Sequence, residues 1–233
     1  MLIALLGGLV RGTTGFGAAM VMTPILAVLI GAREAVPLTL FLETFAALPM
    51  LPAAVNIAHW RVIGPISLAA LPAVPLGAML LASADPTESR YAIAIVVIVF
   101  ALALLSGRRY SGQQRMRTSV TLGALSGAML GATGIGAPPV ILYLLSGPDP
   151  ASVTRANLTL YIVAISAAGL AMLGVEGLVN GSTVASAGSL AIPFAAGIVM
   201  GSRMFARFSD ERFRRVTIVF MMLVALSVLF VRA

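Results

Sequence analysis

Apolar residues run along this chain of 233 residues in eight long stretches that are separated by short polar loops. About 20 apolar residues form a helix that crosses the hydrocarbon core of a bilayer, and open strands cannot satisfy their backbone in lipid. The pattern therefore predicts an all-α integral membrane protein. The predicted stretches cover residues 2–30, 35–56, 63–83, 91–106, 119–146, 151–175, 182–202 and 214–231.

Two glycine-rich strings interrupt the first and the fifth of these stretches. The strings are Gly-Thr-Thr-Gly-Phe-Gly-Ala at 12–18 and Gly-Ala-Thr-Gly-Ile-Gly-Ala at 131–137, and a proline follows each of them. Glycine lets a backbone turn where other residues are strained. A matched pair of interrupted membrane helices is also the usual sequence sign of a transporter binding site. We expect both segments to be broken, or to return as hairpins, near the middle of the membrane.

The two halves of the chain resemble each other beyond these strings. A polar linker at 107–117 divides a first repeat of about 1–106 from a second repeat of about 118–233, with four apolar stretches in each. This pattern predicts one membrane domain, 1–233, that arose by internal duplication. The matched positions are Gly8 and Gly127, Thr14 and Thr133, Gly77 and Gly201, and Asp85 and Asp210.

The arginines predict the topology. Hydrophobic residues make up 60% of the chain and charged residues 10%, and all the basic residues are Arg. If every stretch crossed the bilayer, the Arg-rich loops 107–117 and 203–215 would lie on opposite faces, against the positive-inside rule. If stretches one and five return as hairpins, both loops are cytoplasmic. Each half then has three crossings, an odd number, so the second half is inverted relative to the first. We expect the protein to be integral to a bacterial inner (plasma) membrane.

The broken helices suggest an anion site, because the start of a helix carries unpaired N–H groups and partial positive charge. The alternative is that the glycines only let helices pack closely. The hypothesis is a small oxyanion held between the two strings, with charge from Arg11 on one side. Its candidate binding residues are Arg11, Gly12, Thr13, Thr14, Gly15, Phe16, Gly17, Thr133, Gly134, Ile135 and Gly136.

These features resemble one known family. Two repeats of four apolar segments, each opening with Gly-x-x-Gly-x-Gly and then a proline, are similar to the TauE/SafE sulfite exporter family of membrane permeases. The resemblance covers essentially the whole chain and implies movement of sulfite, thiosulfate, sulfonates and related small organic anions. Many members have a Gly-Gly-Gly run where this chain has Phe16 and Ile135 between glycines, so we expect a pocket of different size.

Three further polar residues lie inside apolar stretches. Glu43 is in the middle of the second stretch, where a carboxylate is costly unless it is paired or protonated. It is interpreted as a proton-coupling site or as a partner of Arg11, the alternative being a structural ion pair. Asn157 and Tyr161 share one helix face at i, i+4 spacing; they either line the cavity or bond to a neighbouring helix.

The predicted function is secondary transport of small sulfur-containing oxyanions by alternating access. The alternatives are an anion channel or a membrane subunit of a larger complex. An enzyme is not expected, because Glu43 and a single boundary histidine, His59, are too few groups for catalysis. No nucleotide-binding motif, cysteine or metal-ligand spacing is present, so we expect no cofactor or metal. The partners expected are the small anion and the lipid bilayer, with no nucleic acid, and a homo-oligomer is compatible with the pattern.

Overall fold

The protein is helical throughout the part that its computed structural model describes, residues 1–14, 16–106 and 115–205, and that part contains no strand. This confirms the predicted all-α class. The eighth apolar stretch, Gly15, and the arginines of 107–114 and 206–215 lie outside the described residues. The helices are α1 (Leu2–Thr14), α2 (Ala18–Ile30), α3 (Ala32–Ala47), α4 (Leu51–Ile57), α5 (Trp60–Ala70), α6 (Val74–Ser83), α7 (Pro86–Leu105), α8 (Met116–Thr133), α9 (Ala137–Leu144), α10 (Ala151–Val175) and α11 (Gly181–Phe205).

Five helical segments of the described chain are long and apolar enough to cross a membrane. Two of them consist of paired helices, since short 3-10 turns at Leu48–Met50 and Leu71–Ala73 join α3 to α4 and α5 to α6. Each turn contains a proline, which lacks the N–H that a continuous α-helix needs. The protein is therefore an integral membrane protein. The five segments are Ala32–Ile57, Trp60–Ser83, Pro86–Ala103, Ser152–Val175 and Gly181–Met204.

The two glycine-rich strings break their helices, as the sequence predicts. Helix α1 ends at Thr14 and α2 begins at Ala18, while α8 ends at Thr133 and α9 begins at Ala137. The backbone turns through a left-handed residue in each break, Gly17 with φ +88° and Gly134 with φ +71°. Glycine adopts that region without the steric cost that a Cβ adds. Gly136, which corresponds to Gly17 in the aligned strings, has φ −108°, so the two breaks differ at this position.

Both broken segments fold back as hairpins. In the first, Gly7 packs so closely against Met22 that a Cβ would overlap that side chain. A continuous helix would separate these two residues by about 22 Å, at 1.5 Å per residue. In the second, Ser119 near the start of α8 lies 2.9 Å from the Tyr143 hydroxyl near the end of α9, measured between the two side-chain oxygens. The chain thus reverses direction at each glycine-rich string.

Helix α1 packs against α11, in the other half of the chain. A Cβ at Gly8 would overlap the carbonyl oxygen of Phe194, and one at Gly12 would overlap that of Ile198. Helix backbones can approach this closely only where side chains are absent. Because the contacts advance together along both helices, α1 and α11 run parallel.

Helix α8 makes the matching contact with α5 and α6, in the first half. A Cβ at Gly127 would overlap the carbonyl oxygen of Ala70, and one at Gly131 would overlap that of Val74. The two α8 glycines are each 119 positions after the corresponding α1 glycines. The carbonyl groups that they approach on α5 and α6 are each 124 positions before those on α11. Each hairpin is therefore packed on the opposite half through equivalent residues. The repeat boundaries at 106 and 118 stay a prediction.

Candidate functional site

A small cavity of about 30 Å³ lies between the two hairpin tips. A cavity of this size holds about two water molecules. Backbone and side chains of both breaks form part of its wall, and apolar side chains of α2, α3, α9 and α10 form most of the rest. Five of the predicted binding residues line it together with Glu43: Phe16, Gly17, Gly134, Ile135 and Gly136.

An ion pair joins the first hairpin to α3 at this cavity. The Arg11 guanidinium, in the last turn of α1, donates a hydrogen bond to the Glu43 carboxylate. Both residues are buried, with 6% and 5% of their surface exposed. Buried charges are tolerated in a protein interior when they are paired and hydrogen-bonded. Glu43 is thus paired with Arg11, which agrees both with a functional partner of Arg11 and with a structural ion pair. Its role in proton coupling stays a prediction.

Glu43 also contacts the start of α2. Its second carboxylate oxygen accepts a hydrogen bond from the backbone N–H of Ala19 at 3.2 Å. The first turn of a helix has N–H groups without intrahelical partners and partial positive charge, and Gly17 before it has no side chain to cap them. The Glu43 carboxylate therefore accepts a hydrogen bond from the start of α2 and lies in its partial positive charge.

The second tip is held by hydroxyl groups. The Tyr161 hydroxyl donates to Ser126 Oγ at 2.6 Å, and Ser126 Oγ donates to the carbonyl oxygen of Gly136. The second and third residues of α9 are Pro138 and Pro139, which have no N–H to offer. The second tip is thus poorer in hydrogen-bond donors than the first, and the anion-attracting features are concentrated on the Arg11 side.

The threonines of the two strings bond within their own hairpins. Thr13 Oγ1 donates to the carbonyl oxygen of Val10 at 2.8 Å, and Thr133 Oγ1 donates to that of Met129 at 2.7 Å. Neither threonine lines the cavity, and Gly12 makes its close approach to α11. The side chain of Thr14 and all of Gly15 lie outside the described residues. A direct role of these residues in substrate binding stays a prediction.

Asn157 and Tyr161 are not among the residues that line the cavity. Tyr161 bonds to Ser126 of α8, and Asn157 Oδ1 accepts a hydrogen bond from the backbone N–H of His59 at 2.8 Å. The residues of α10 that do line the cavity are Ile162, Ile165 and Ser166. Of the two interpretations left open in the sequence, the structure supports bonds to neighbouring elements.

Sequence reasoning missed the two serines at this site, Ser126 and Ser166. Serine is common in membrane helices, where it packs like a small residue and bonds to its own backbone. No spacing in the sequence distinguishes Ser126, which bonds to Gly136 at the hairpin tip ten positions further along the chain, from a serine that bonds only within its own helix. The signal is tertiary, because it depends on where α8 folds back and where α10 crosses it.

An all-helical membrane protein with two glycine-tipped hairpins around a buried charge pair has the architecture of a membrane transporter. The chain belongs to the sulfite exporter TauE/SafE family, since the family model with that description matches residues 1–228 of 233. The family consists of membrane transporters of the sulfite and sulfonate exporter type. Neither the search of curated proteins nor that of solved structures found a match.

Proposed function

We propose that this protein is a secondary transporter of small sulfur-containing oxyanions, such as sulfite, thiosulfate or sulfonates, and that it works by alternating access. The observation that carries the proposal is the cavity between the two tips, which is lined by Glu43, the ion-pair partner of Arg11. Arg11 and the start of α2 supply positive charge there. The family supplies the expected class of substrate.

The proposal includes an inverted arrangement of the two hairpins. His59 Nδ1 lies 3.1 Å from an oxygen of Asp149, so α5 and α10 begin at one end of the bundle. Arg33 donates to the carbonyl oxygen of Ala84 at 3.2 Å, so α3 and α7 begin at the other end. Helix α8 runs parallel to α5, whereas α2 leads directly into α3. These contacts support hairpins that enter from opposite faces.

The orientation in the membrane is part of the same proposal. Arg61 and Arg155 lie close to the His59–Asp149 end in the sequence, and Glu34, Asp85 and Glu88 lie close to the other end. The positive-inside rule then makes the His59–Asp149 end cytoplasmic. The arginine-rich loops 107–117 and 203–215 would be on that face, in the bacterial inner membrane.

Glu43 gives the transporter a mechanism for coupling to protons. Its carboxylate holds the two groups that attract an anion, the Arg11 guanidinium and the Ala19 N–H. A substrate anion must therefore displace it, and two negative charges in this small apolar cavity would repel each other strongly. Protonation of Glu43 removes its charge and releases Arg11. Proton and anion would then bind together, and their binding would favour movement of the hairpins.

The test is flux of sulfite into proteoliposomes with and without an imposed pH gradient. We expect saturable uptake that the gradient accelerates. In Glu43→Gln the accelerating effect should disappear, whereas Glu34→Gln, at an exposed glutamate in the first turn of the same helix, should behave as wild type. Sulfite flux that neither saturates nor responds to the gradient would indicate a channel instead. No flux of sulfite, thiosulfate or ethanesulfonate would contradict the proposed function.

A further inference from the structure

Buried polar atoms without a partner are concentrated on one side of the cavity. Within the described residues, four buried side-chain atoms have no hydrogen-bond partner. One, on Asn157, belongs to the His59–Asn157 contact near the start of α10. The other three lie on α2, α3 and α7, which pack against one another: Thr23 Oγ1, Thr39 Oγ1 and Arg90 Nε.

The two threonines, Thr23 and Thr39, lie at the same height along the α2–α3 helix pair. These antiparallel helices are joined at Gly31, and the hydrogen bond from Ala19 to Glu43 fixes their register. In that register Thr23 lies opposite Thr39, one helical turn further from the cavity. Both are fully buried. Thr23 also lies beside the second tip, since a Cβ at Gly134 would be 3.5 Å from its hydroxyl oxygen.

Arg90 lies toward the end of the bundle at which α3 and α7 begin. It is in the second turn of α7 and only 8% exposed, on the buried helix face that also carries Ile93 and Val97. Its Nε is buried without a hydrogen-bond partner, and neither of the two ion pairs within the described residues includes it. A guanidinium cannot lose its proton in a protein, so its positive charge has no acidic partner within the described residues. Buried charges of this kind are costly without a counter-ion and mark ion pathways in membrane proteins.

We propose that Arg90, with the hydroxyls of Thr23 and Thr39, forms a second binding site for a small oxyanion between the cavity and this end of the bundle. The identity of the anion rests on the proposed function, but the existence of the site does not. The arrangement provides positive charge and two hydroxyl donors along α2, α3 and α7. A pathway with several weak sites lets an ion enter without being trapped.

Thermal unfolding in neutral detergent tests the site with sulfite, thiosulfate and ethanesulfonate as probes, against chloride at equal ionic strength. A ligand that binds the folded state raises the unfolding midpoint with its concentration. To silence the first site, the measurement uses Arg11→Met/Glu43→Leu as the background. We expect at least one probe to raise the midpoint there, and Arg90→Met to abolish the rise. Arg33→Met, at an exposed arginine of the same end, should retain it.

The stability of Arg90→Met without anion separates a binding role from a structural one. Removing an unpaired buried charge should leave the midpoint unchanged or raise it, whereas loss of a structural arginine would lower it. If the background variant does not fold, Arg90→Met and Arg33→Met are compared in the otherwise wild-type chain. The proposal then predicts that the anion raises the unfolding midpoint less in Arg90→Met than in wild type, and by the wild-type amount in Arg33→Met.

Three results would overturn the second site. The first is that no probe raises the midpoint, and the second is that Arg90→Met keeps the full rise. The third comes from adding phosphatidylglycerol: if this lipid alone gives an Arg90-dependent rise, the site holds a lipid phosphate. An Arg90-dependent rise in a protein that transports none of the probes would retain the site and contradict only the proposed function.

Discussion

The guanidinium of Arg11 donates a hydrogen bond to the carboxylate of Glu43, and this contact joins the first hairpin to α3 across 32 positions of the chain. Each side chain is buried and each compensates the charge of the other. The N–H of Ala19 contributes a further bond to the same carboxylate. One pair of residues, Arg11 and Glu43, therefore both holds the first hairpin tip against α3 and neutralises the buried charge of Arg11.

The first prediction concerns the stability of this pair. We expect Arg11→Met and Glu43→Leu each to lower the free energy of unfolding by about 3–5 kcal/mol, because each leaves one buried charge without its partner. The double variant should lose less than the sum of the two, since it leaves no unpaired charge. Unfolding in mixed micelles with increasing denaturing detergent measures all three values. Additive losses would show that the two charges do not interact energetically.

The second prediction concerns the close contact of α1 with α11. A Cβ at Gly197 would overlap the carbonyl oxygen of Leu5, whereas one at Gly188 of the same helix meets no other atom within 4 Å. Gly197→Ala should therefore cost about 1–3 kcal/mol through overpacking, and Gly188→Ala should be neutral or stabilise the helix. Thermal unfolding of the two purified variants makes the comparison. Equal stability of both would mean that α1 and α11 are further apart than described.

The two variants also illustrate what the sequence can and cannot predict. The positions of the breaks follow from the local requirement for Gly17 and Gly134 to adopt a left-handed backbone. Which glycines of α1 and α11 pack and which line a cavity does not follow, because the same residue type serves both purposes. Gly12 and Gly17 are five positions apart in one string, yet the first contacts α11 and the second lines the cavity.

The buried charged residues also differ in how far the sequence predicts their roles. Arg11 and Glu43 stand out in the sequence because ionisable residues inside apolar stretches are rare, and a pairing between them is one of the interpretations that it allows. Arg90 does not stand out, because it follows a polar loop and looks like a residue of the membrane boundary. Its burial results from how α7 packs against α2 and α3, which no spacing within one helix reveals.

The third prediction concerns the hydroxyls that hold the second tip. In Tyr161→Phe, Ser126 loses the donor that orients it toward the Gly136 carbonyl. We expect a stability loss of about 1 kcal/mol, typical of one hydrogen bond, and a change in the KM for sulfite because Gly136 lines the cavity. Sulfite uptake into proteoliposomes over a range of concentrations measures this KM.

Tyr143→Phe is the matched control for that experiment. It removes a hydroxyl that lies 2.9 Å from Ser119 Oγ near the base of the same hairpin, away from the cavity. A similar loss of stability with an unchanged KM is expected. If both tyrosine variants change the KM equally, the effect comes from the hairpin as a whole and not from the Tyr161–Ser126 contact.

The fourth prediction concerns the size of the cavity. Ile165 is fully buried and lines it. Ile165→Phe should reduce the volume of the cavity and lower or abolish uptake, while Ile165→Ala should allow larger sulfonates to compete with sulfite. Competition for uptake by a series of alkyl sulfonates measures the change. Ile93→Ala, at a fully buried position of α7 outside the cavity lining, should lose about 2–5 kcal/mol of stability and keep wild-type selectivity.

The reciprocal packing of the hairpins has a consequence for biosynthesis. The α1–α2 hairpin leaves the ribosome before its partner surface on α11, which begins only at Gly181. Until then the glycine face of α1 must be shielded by lipid or by the insertion machinery. The α8–α9 hairpin, by contrast, finds α5 and α6 already in place. The two hairpins, although alike in sequence, therefore pack at different stages of synthesis. The α1–α2 hairpin can pack against α11 only after almost the whole described chain has been made.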